Sequence, residues 1–158
     1  GTITRTITAA GLTGSIRDVN VRVTVTHSYV GDLRLRLISP TGTIVTLISN
    51  RGANGDNMTD TNFDDAAPTP IGSAAPPFTG TFRPEPPLSA FNGEAGNGTW
   101  TLEATDVEAP DAGTLNSWAL MVSNEETATS DASGFYSFRN LPPDTYRVRR
   151  VLPAGWNS

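Results

Sequence analysis

The sequence contains no cysteine and no lysine, and it has no long apolar run. Without cysteine, disulfide bridges, thiolate metal sites and thiol catalysis are all excluded. All 11 basic residues are arginines, against 16 acidic residues, and the formal net charge is -5. An acidic surface is a poor match for phosphate backbones, so we expect no nucleic-acid partner. No stretch of about 18 apolar residues is present, so we expect no membrane span.

Apolar residues at helical spacing are also missing over any long window, whereas glycine and proline are frequent, with 15 and 12 residues. This composition is typical of many short strands joined by turns. A chain of 158 residues is long enough to bury a substantial core. The chain is therefore predicted to fold as an all-β domain.

The clearest strand pattern lies between two turns. Leucines occupy every second position from Leu33 to Leu37, and arginines occupy the positions between them. This period of two is expected of a strand with one buried and one wet face. Asp32 belongs to the turn before the strand and is predicted to be structural. Similar alternation predicts further strands at 2–9, 16–25, 44–48, 100–104 and 115–122, with the first at a sheet edge.

The run from Asn50 to Leu88 shows no such alternation and is rich in glycine, asparagine, aspartate and proline. We interpret it as one long loop between the fourth and fifth strands. Loops of this length inside a compact domain usually carry a function, hold a bound ion or are disordered. Spaced aromatic residues argue against disorder, and these are Phe63, Phe78 and Phe82.

Aspartate and asparagine are concentrated in one part of this loop, between residues 54 and 65. Calcium takes six to eight oxygen ligands from such side chains, from main-chain carbonyls and from water. We therefore predict a structural Ca²⁺ site whose favoured ligands in the loop are Asp56, Asp64 and Asp65. Asp106 is a further candidate from a later turn. The spacing differs from an EF-hand, and the alternative is a solvated turn cluster bonded to local backbone.

The residues present fit neither of two common kinds of hydrolytic catalysis. A serine-protease triad needs a base beside its nucleophile, and the Gly-Thr-Ser-Met-Ala type of serine turn is absent. The single histidine, His27, is therefore interpreted as a structural hydrogen-bonding residue. Glycoside hydrolysis needs two carboxylates at a set separation, and spacing singles out no such pair. We predict that the chain itself is not an enzyme.

The two tryptophans in the predicted strands, Trp100 and Trp118, alternate with polar residues. We expect both to fill the core, with the indole N–H bonded to a nearby acceptor. A carbohydrate-binding sandwich needs an aromatic platform outside the core, which these positions do not supply.

Three segments carry a family likeness. They are His-Ser-Tyr-Val-Gly-Asp-Leu-Arg-Leu-Arg-Leu-Ile-Ser-Pro-Thr-Gly-Thr at 27–43, Phe-Asn-Gly-Glu-Ala-Gly-Asn-Gly-Thr-Trp at 91–100, and Gly-Thr-Leu-Asn-Ser-Trp-Ala-Leu at 113–120. Together they resemble the P domain, also called Homo B, which follows the catalytic domain in kexin-like and furin-like proprotein convertases and in many bacterial subtilisin-type proteases. The likeness spans roughly residues 16 to 122. It implies a non-catalytic domain that packs beside a catalytic domain and stabilises it, and calcium often accompanies bacterial members.

The character of the sequence changes after residue 123. Asp-Ala-Ser-Gly-Phe-Tyr-Ser-Phe at 131–138 and Leu-Pro-Pro-Asp-Thr-Tyr at 141–146 resemble the second half of a bacterial surface B-type or carboxypeptidase-regulatory-like repeat. We predict two short strands there, around Asn140 to Asp144. Two strands alone are marginal in water, so this tail is expected to lean on the sandwich, extend its edge or pair with another molecule.

The sequence thus predicts an antiparallel jelly-roll β-sandwich at 1–123 and a partial Ig-like or transthyretin-like repeat at 124–158. The expected function is that of an extracellular accessory domain, secreted or at the cell surface, which stabilises or positions a neighbouring domain of the same precursor. The alternative is an adhesion module that binds a protein or glycan ligand through its loops.

Overall fold

A computed structural model of the chain describes residues 1–108, 110, 112–125, 128–138 and 148. The chain forms two compact units, Gly1–Glu126 and Thr127–Ser158. Among the described residues no helix is long and apolar enough to cross a membrane. Eight strands are assigned within that part of the chain: β1 (Thr2–Ala9), β2 (Ser15–His27), β3 (Leu33–Ile38), β4 (Ile44–Ser49), β5 (Met58–Phe63), β6 (Gly80–Phe82), β7 (Gly98–Asp106) and β8 (Gly113–Glu125).

The strands form two four-stranded sheets. The first sheet has the order β1-β7-β3-β4, and the second has the order β6-β5-β2-β8. The predicted all-β jelly-roll sandwich is therefore confirmed, and β1 lies at a sheet edge as expected. One pair departs from the antiparallel prediction, because β5 and β6 run parallel. In addition, β8 continues to Glu125, two residues beyond the predicted boundary.

The core forms between the sheets because alternate residues of the central strands face inward. On β2 the buried set runs from Val19 to Val25 at every second position, and on β3 it runs from Leu33 to Leu37. Strand β4 buries both Leu47 and Ile48, which a strict period of two does not allow. A register shift between β3 and β4 at this point explains the exception, since a bulge places two residues opposite one.

The segment predicted as one long loop, from Asn50 to Leu88, instead contributes two strands to the second sheet. Strand β5 pairs with β2, and the three-residue strand β6 pairs with β5. The predicted calcium loop at 54–65 thus includes β5. The segment also supplies fully buried apolar side chains: Met58, Phe63, Ile71, Phe78 and Leu88.

The two tryptophans differ in burial. Trp100 is fully buried, and its indole N–H donates a hydrogen bond of 2.9 Å to the carbonyl oxygen of Gly96. Its ring meets Phe91 edge to face, with centroids 5.2 Å apart. Trp118 on β8 is only partly buried and packs against the core. Of the two tryptophans, Trp100 is therefore the one that lies in the core.

The second unit is described mainly at 128–138. A turn forms at its centre, where the N–H of Gly134 donates to the carbonyl oxygen of Asp131 at 3.0 Å. The Asp131 carboxylate accepts bonds from Ser133 and Phe135, and these bonds lower its pKa. The two strands predicted around Asn140 to Asp144 lie outside the described residues, so the repeat stays a prediction.

Candidate functional site

His27 ends β2 and is almost fully buried, with 2% of its surface exposed. Its Nδ1 accepts a hydrogen bond of 3.1 Å from the N–H of Tyr29, which places the proton of the neutral ring on Nε2. Nε2 lies 3.6 Å from Oδ2 of Asp106 and has no hydrogen-bond partner among the described residues. An enclosed ring of this kind is placed to orient main chain rather than to reach a substrate.

A cleft of about 180 Å³ adjoins this pair, between the strand edges of β1 and β8. Most of its walls are aliphatic, and they include Ile3 and Leu115. Gly113 packs directly on the imidazole, because a Cβ added there would lie 2.3 Å from Cδ2 of His27. The fit leaves no room for a side chain at this position.

Asp32 lies in a short 3₁₀ turn, Val30–Asp32, that leads into β3. Its N–H donates to the carbonyl oxygen of Tyr29 at 3.2 Å, and its own carbonyl oxygen accepts the N–H of Val107 at 3.0 Å. These main-chain bonds join the turn to the end of β7. The contacts are those of a turn residue.

The predicted calcium ligands after β5 are engaged with main chain. Asp64 accepts the N–H of Ala66 at 2.7 Å. The two carboxylate oxygens of Asp65 accept the N–H groups of Leu88 and Ser89, each at 2.8 Å, at the start of the 3₁₀ turn Leu88–Phe91. Asp65 thereby ties the end of β5 to a turn more than twenty residues away.

A third carboxylate, Asp18 on β2, lies close enough to Asp64 and Asp65 to be affected by their charge. Partial burial raises the pKa of Asp18, and the charges of Asp64 and Asp65 raise it further. Asn20 donates to Oδ2 of Asp18 at 3.0 Å, while its own Oδ1 is buried and has no hydrogen-bond partner in the described part of the chain. The sequence analysis missed Asp18, since only the pairing of β2 with β5 brings it to this patch.

The four predicted ligands do not form one site. Asp56 is exposed and precedes Asn57, which exchanges hydrogen bonds with the main chain of His27. Asp106 lies beside the His27 ring. Both aspartates are therefore at the His27 end of β2. Asp64 and Asp65 directly follow β5, next to the pairing of Phe63 with Val21, roughly 20–25 Å away at about 3.3 Å per residue. Within the described ranges, no group of three or more acidic or histidine side chains is arranged to hold a metal ion.

Glu94 binds three hydroxyl groups from the turn after β3. Its carboxylate accepts hydrogen bonds from Ser39 at 2.8 Å, from Thr41 at 2.5 Å and from Thr43. Partial burial acts to raise the pKa of Glu94, but the three hydroxyl bonds outweigh it and lower the pKa below its usual 4.5. The residue joins two turns that are about fifty positions apart.

The described residues of the first unit thus form a two-sheet β-sandwich with a buried histidine at the end of β2. The family model described as "Proprotein convertase P-domain" matches residues 16–122. The chain belongs to the proprotein convertase P-domain family.

Curated relatives carry this domain as a small part of longer chains. Leupeptin-inactivating enzyme 1 of Streptomyces exfoliatus is 30% identical over 115 residues, which cover 72% of this chain and 20% of the relative. A calcium-dependent protease of Trichormus variabilis is 26% identical over 110 residues, covering 68% and 14%. The chain thus spans a fifth or less of the length of these relatives.

Two solved structures are also similar. A serine protease of Aeromonas sobria aligns with a TM-score of 0.46 and 22% identity, covering 75% of this chain and 22% of that one. The same protease in complex with its chaperone aligns with a TM-score of 0.42 and 20% identity, covering 80% and 28%.

Proposed function

We propose that the chain is a non-catalytic accessory domain that stabilises or positions a neighbouring domain of the same precursor. The neighbour is a subtilisin-like protease or another exported domain. The observation that carries this proposal is the match of the P-domain family model across residues 16–122. Support also comes from the named proteases among the relatives, in which the matched region is a small part of the chain.

The environment of His27 fits this function. A general base must come within hydrogen-bond reach of the substrate proton. The imidazole is buried, and its Nδ1 is already occupied by the N–H of Tyr29. His27 is thus better suited to holding the end of β2 than to proton transfer.

The proposal includes a location outside the cell, either secreted or at the cell surface. It rests on the family match and on the likeness of residues 131–146 to repeats of bacterial exported or surface proteins. Fractionation of the source cells tests the location directly. Recovery of the parent protein from the cytoplasm alone would contradict it.

The accessory role is tested on the parent protein, with residues 16–122 either present or deleted. We expect deletion to lower the thermal stability of the neighbouring domain and to reduce its activity in proportion. The isolated chain, assayed with casein and with chromogenic sugar substrates, is expected to show no turnover. An unaffected neighbour, or hydrolysis by the isolated chain, contradicts the proposal.

We further propose that a structural calcium ion binds beside Asp64 and Asp65. Burial and the charges of Asp64 and Asp65 disfavour the charged form of Asp18 in this patch, and the buried Oδ1 of Asn20 has no hydrogen-bond partner among the described residues. A divalent cation relieves such repulsion, and the donors are the hard oxygens that calcium prefers. Two relatives are named calcium-dependent proteases. Main-chain oxygens and water would have to complete the ligand shell.

Substitution of Asp18 tests the calcium proposal. In calcium-free buffer Asp18→Asn is expected to raise the melting temperature by a few degrees, because one repelling charge is removed. Millimolar calcium is expected to stabilise the unsubstituted protein more than this variant. Asp56→Asn is the matched control and should respond as the unsubstituted protein does. If calcium leaves every melting temperature unchanged, the proposal fails.

A further inference from the structure

A groove of about 570 Å³ lies beside the 3₁₀ turn Ile71–Ser73. None of the residues of the proposed calcium patch lines it. Its charged side chains are Arg51, Arg83 and Glu85. The rest of the lining is mostly apolar and is formed by Pro70, Ile71, Gly72 and Pro84.

The walls of the groove are held together by main-chain hydrogen bonds. The N–H of Ile71 donates to the carbonyl oxygen of Arg83 at 2.8 Å, and the N–H of Arg83 donates to that of Thr69 at 2.8 Å. Ile71 and Pro84 are themselves buried. A groove formed in advance in this way loses little conformational entropy when a ligand enters.

Both arginines have donors to spare. Nε of Arg51 donates to Oε1 of Glu85, which orients the guanidinium at the groove. Within the described residues, Arg83 donates one hydrogen bond, from Nη1 to the carbonyl oxygen of Ala67 at 3.4 Å. A guanidinium carries five N–H donors, and both side chains are exposed. The remaining donors are therefore available to a ligand.

The charge of the groove differs from that of the molecule. Two arginines and one glutamate make the groove locally positive, whereas the whole chain has a net charge of -5. A guanidinium pairs with a carboxylate through two parallel hydrogen bonds. Polyanions are disfavoured by the acidic surface and by Glu85 inside the groove. The lining contains no aromatic ring on which a sugar would stack. Of its uncharged residues, Pro70 and Gly72 are accessible beside the guanidinium groups, and an extended peptide can lie along them.

We infer that this groove binds an extended peptide segment that carries isolated carboxylate side chains. Arg83 and the terminal nitrogens of Arg51 pair with the carboxylates, and the peptide main chain runs along Pro70 and Gly72. The proposed peptide binding depends neither on the accessory role nor on a bound calcium ion.

The test uses the full chain labelled with ¹⁵N and a synthetic probe, acetyl-Gly-Glu-Pro-Glu-Gly-amide. The matched probe has glutamine in place of both glutamates. We expect the acidic probe to shift the amide signals of Gly72 and Glu85, and Arg83→Gln to weaken its affinity about tenfold, because a charge-assisted bond is lost. Arg5→Gln, an exposed arginine on β1, is the control and should leave the affinity unchanged.

Three results would overturn the inference. The first is equal affinity for the glutamine probe, and the second is equal weakening by Arg83→Gln and Arg5→Gln. The third is that inorganic phosphate, at matched ionic strength, shifts the same signals with the same affinity, because the site would then take any small anion. Thermal unfolding of both variants verifies that the fold is retained.

Discussion

At the scale of single residues, the strongest constraints come from side chains that join turns distant in sequence. Glu94 collects the hydroxyl groups of Ser39, Thr41 and Thr43. Asp65 caps the turn that begins at Leu88. The three hydroxyl bonds to Glu94 favour its charged form. The contribution of Glu94 to stability is therefore tied to pH.

Glu94→Gln tests this dependence. Because the pKa of Glu94 is lowered in the folded chain, its stabilisation is fully present above its ordinary value of 4.5 and is lost as pH falls through the lowered value. At neutral pH the substitution is expected to cost about 1 kcal/mol, a figure reduced for solvent screening. Urea unfolding at neutral pH and near pH 3 measures it. Glu108→Gln is the control, and an equal loss at both pH values contradicts the account.

Gly113→Ala tests the packing around His27. A Cβ would lie 2.3 Å from Cδ2 of His27 and 2.8 Å from the carbonyl oxygen of Thr26, so the ring or the strand has to move. We expect a loss of about 2 kcal/mol or more, as for other overpacked sites. Gly72→Ala is the matched control, because its nearest contact is an ordinary 3.6 Å. Thermal unfolding and the imidazole NMR signals of His27 report the change, and equal effects of the two substitutions would contradict it.

The sequence identified some of these residues but not how they are grouped. The sequence indicates His27 and Asp32 as structural residues and Asp64 and Asp65 as candidate calcium ligands. The patch that includes Asp18 depends on strand pairing across more than forty residues, which no local pattern reveals. The same holds for Glu94, whose hydroxyl partners lie in a turn about fifty residues earlier.

At the scale of elements, regular alternation predicted strands well, and irregular strands were missed. The predicted limits of β1 agree with the structure, and the alternating run from Leu33 to Leu37 lies within β3. Strand β5 is irregular, because its register with β2 shifts between Val23 and Val25 and Asp60 has a positive φ of 48°. Its sequence therefore lacks the alternation that would have predicted a strand. A bulge breaks the period of two, so polar residues at the shift hide the strand. Strand β6 has only three residues, too few for a pattern.

Asp65→Ala tests the link between β5 and the turn Leu88–Phe91. The substitution leaves the N–H groups of Leu88 and Ser89 without their acceptor, at the start of a turn whose Leu88 and Phe91 are fully buried. Loss of such a cap is expected to cost about 1–2 kcal/mol. Asp56→Ala, at an exposed position before β5, is the control. Urea unfolding measures both, and equal midpoints would show that the cap contributes nothing.

At the scale of the whole molecule, one hydrophobic core joins the two sheets. Trp100 from the first sheet and Phe63 from the second are both fully buried within it. The segment 50–88 is part of this core rather than an appendage, which explains why its aromatic residues are spaced along otherwise polar sequence. The sandwich is thus expected to unfold as one cooperative unit. Any stabilising effect on a neighbouring domain should be lost when the sandwich unfolds.

Calorimetry of the parent protein carrying Trp100→Ala tests this account most directly. Removal of a buried tryptophan is expected to cost about 3–5 kcal/mol, a large part of the stability of a single domain. If the chain is an accessory domain, the unfolding transition of the neighbouring domain shifts to lower temperature together with that of the sandwich. Met121→Ala, which alters an exposed side chain, should leave both transitions in place. A neighbouring transition that stays fixed while the sandwich melts early would contradict the central claim.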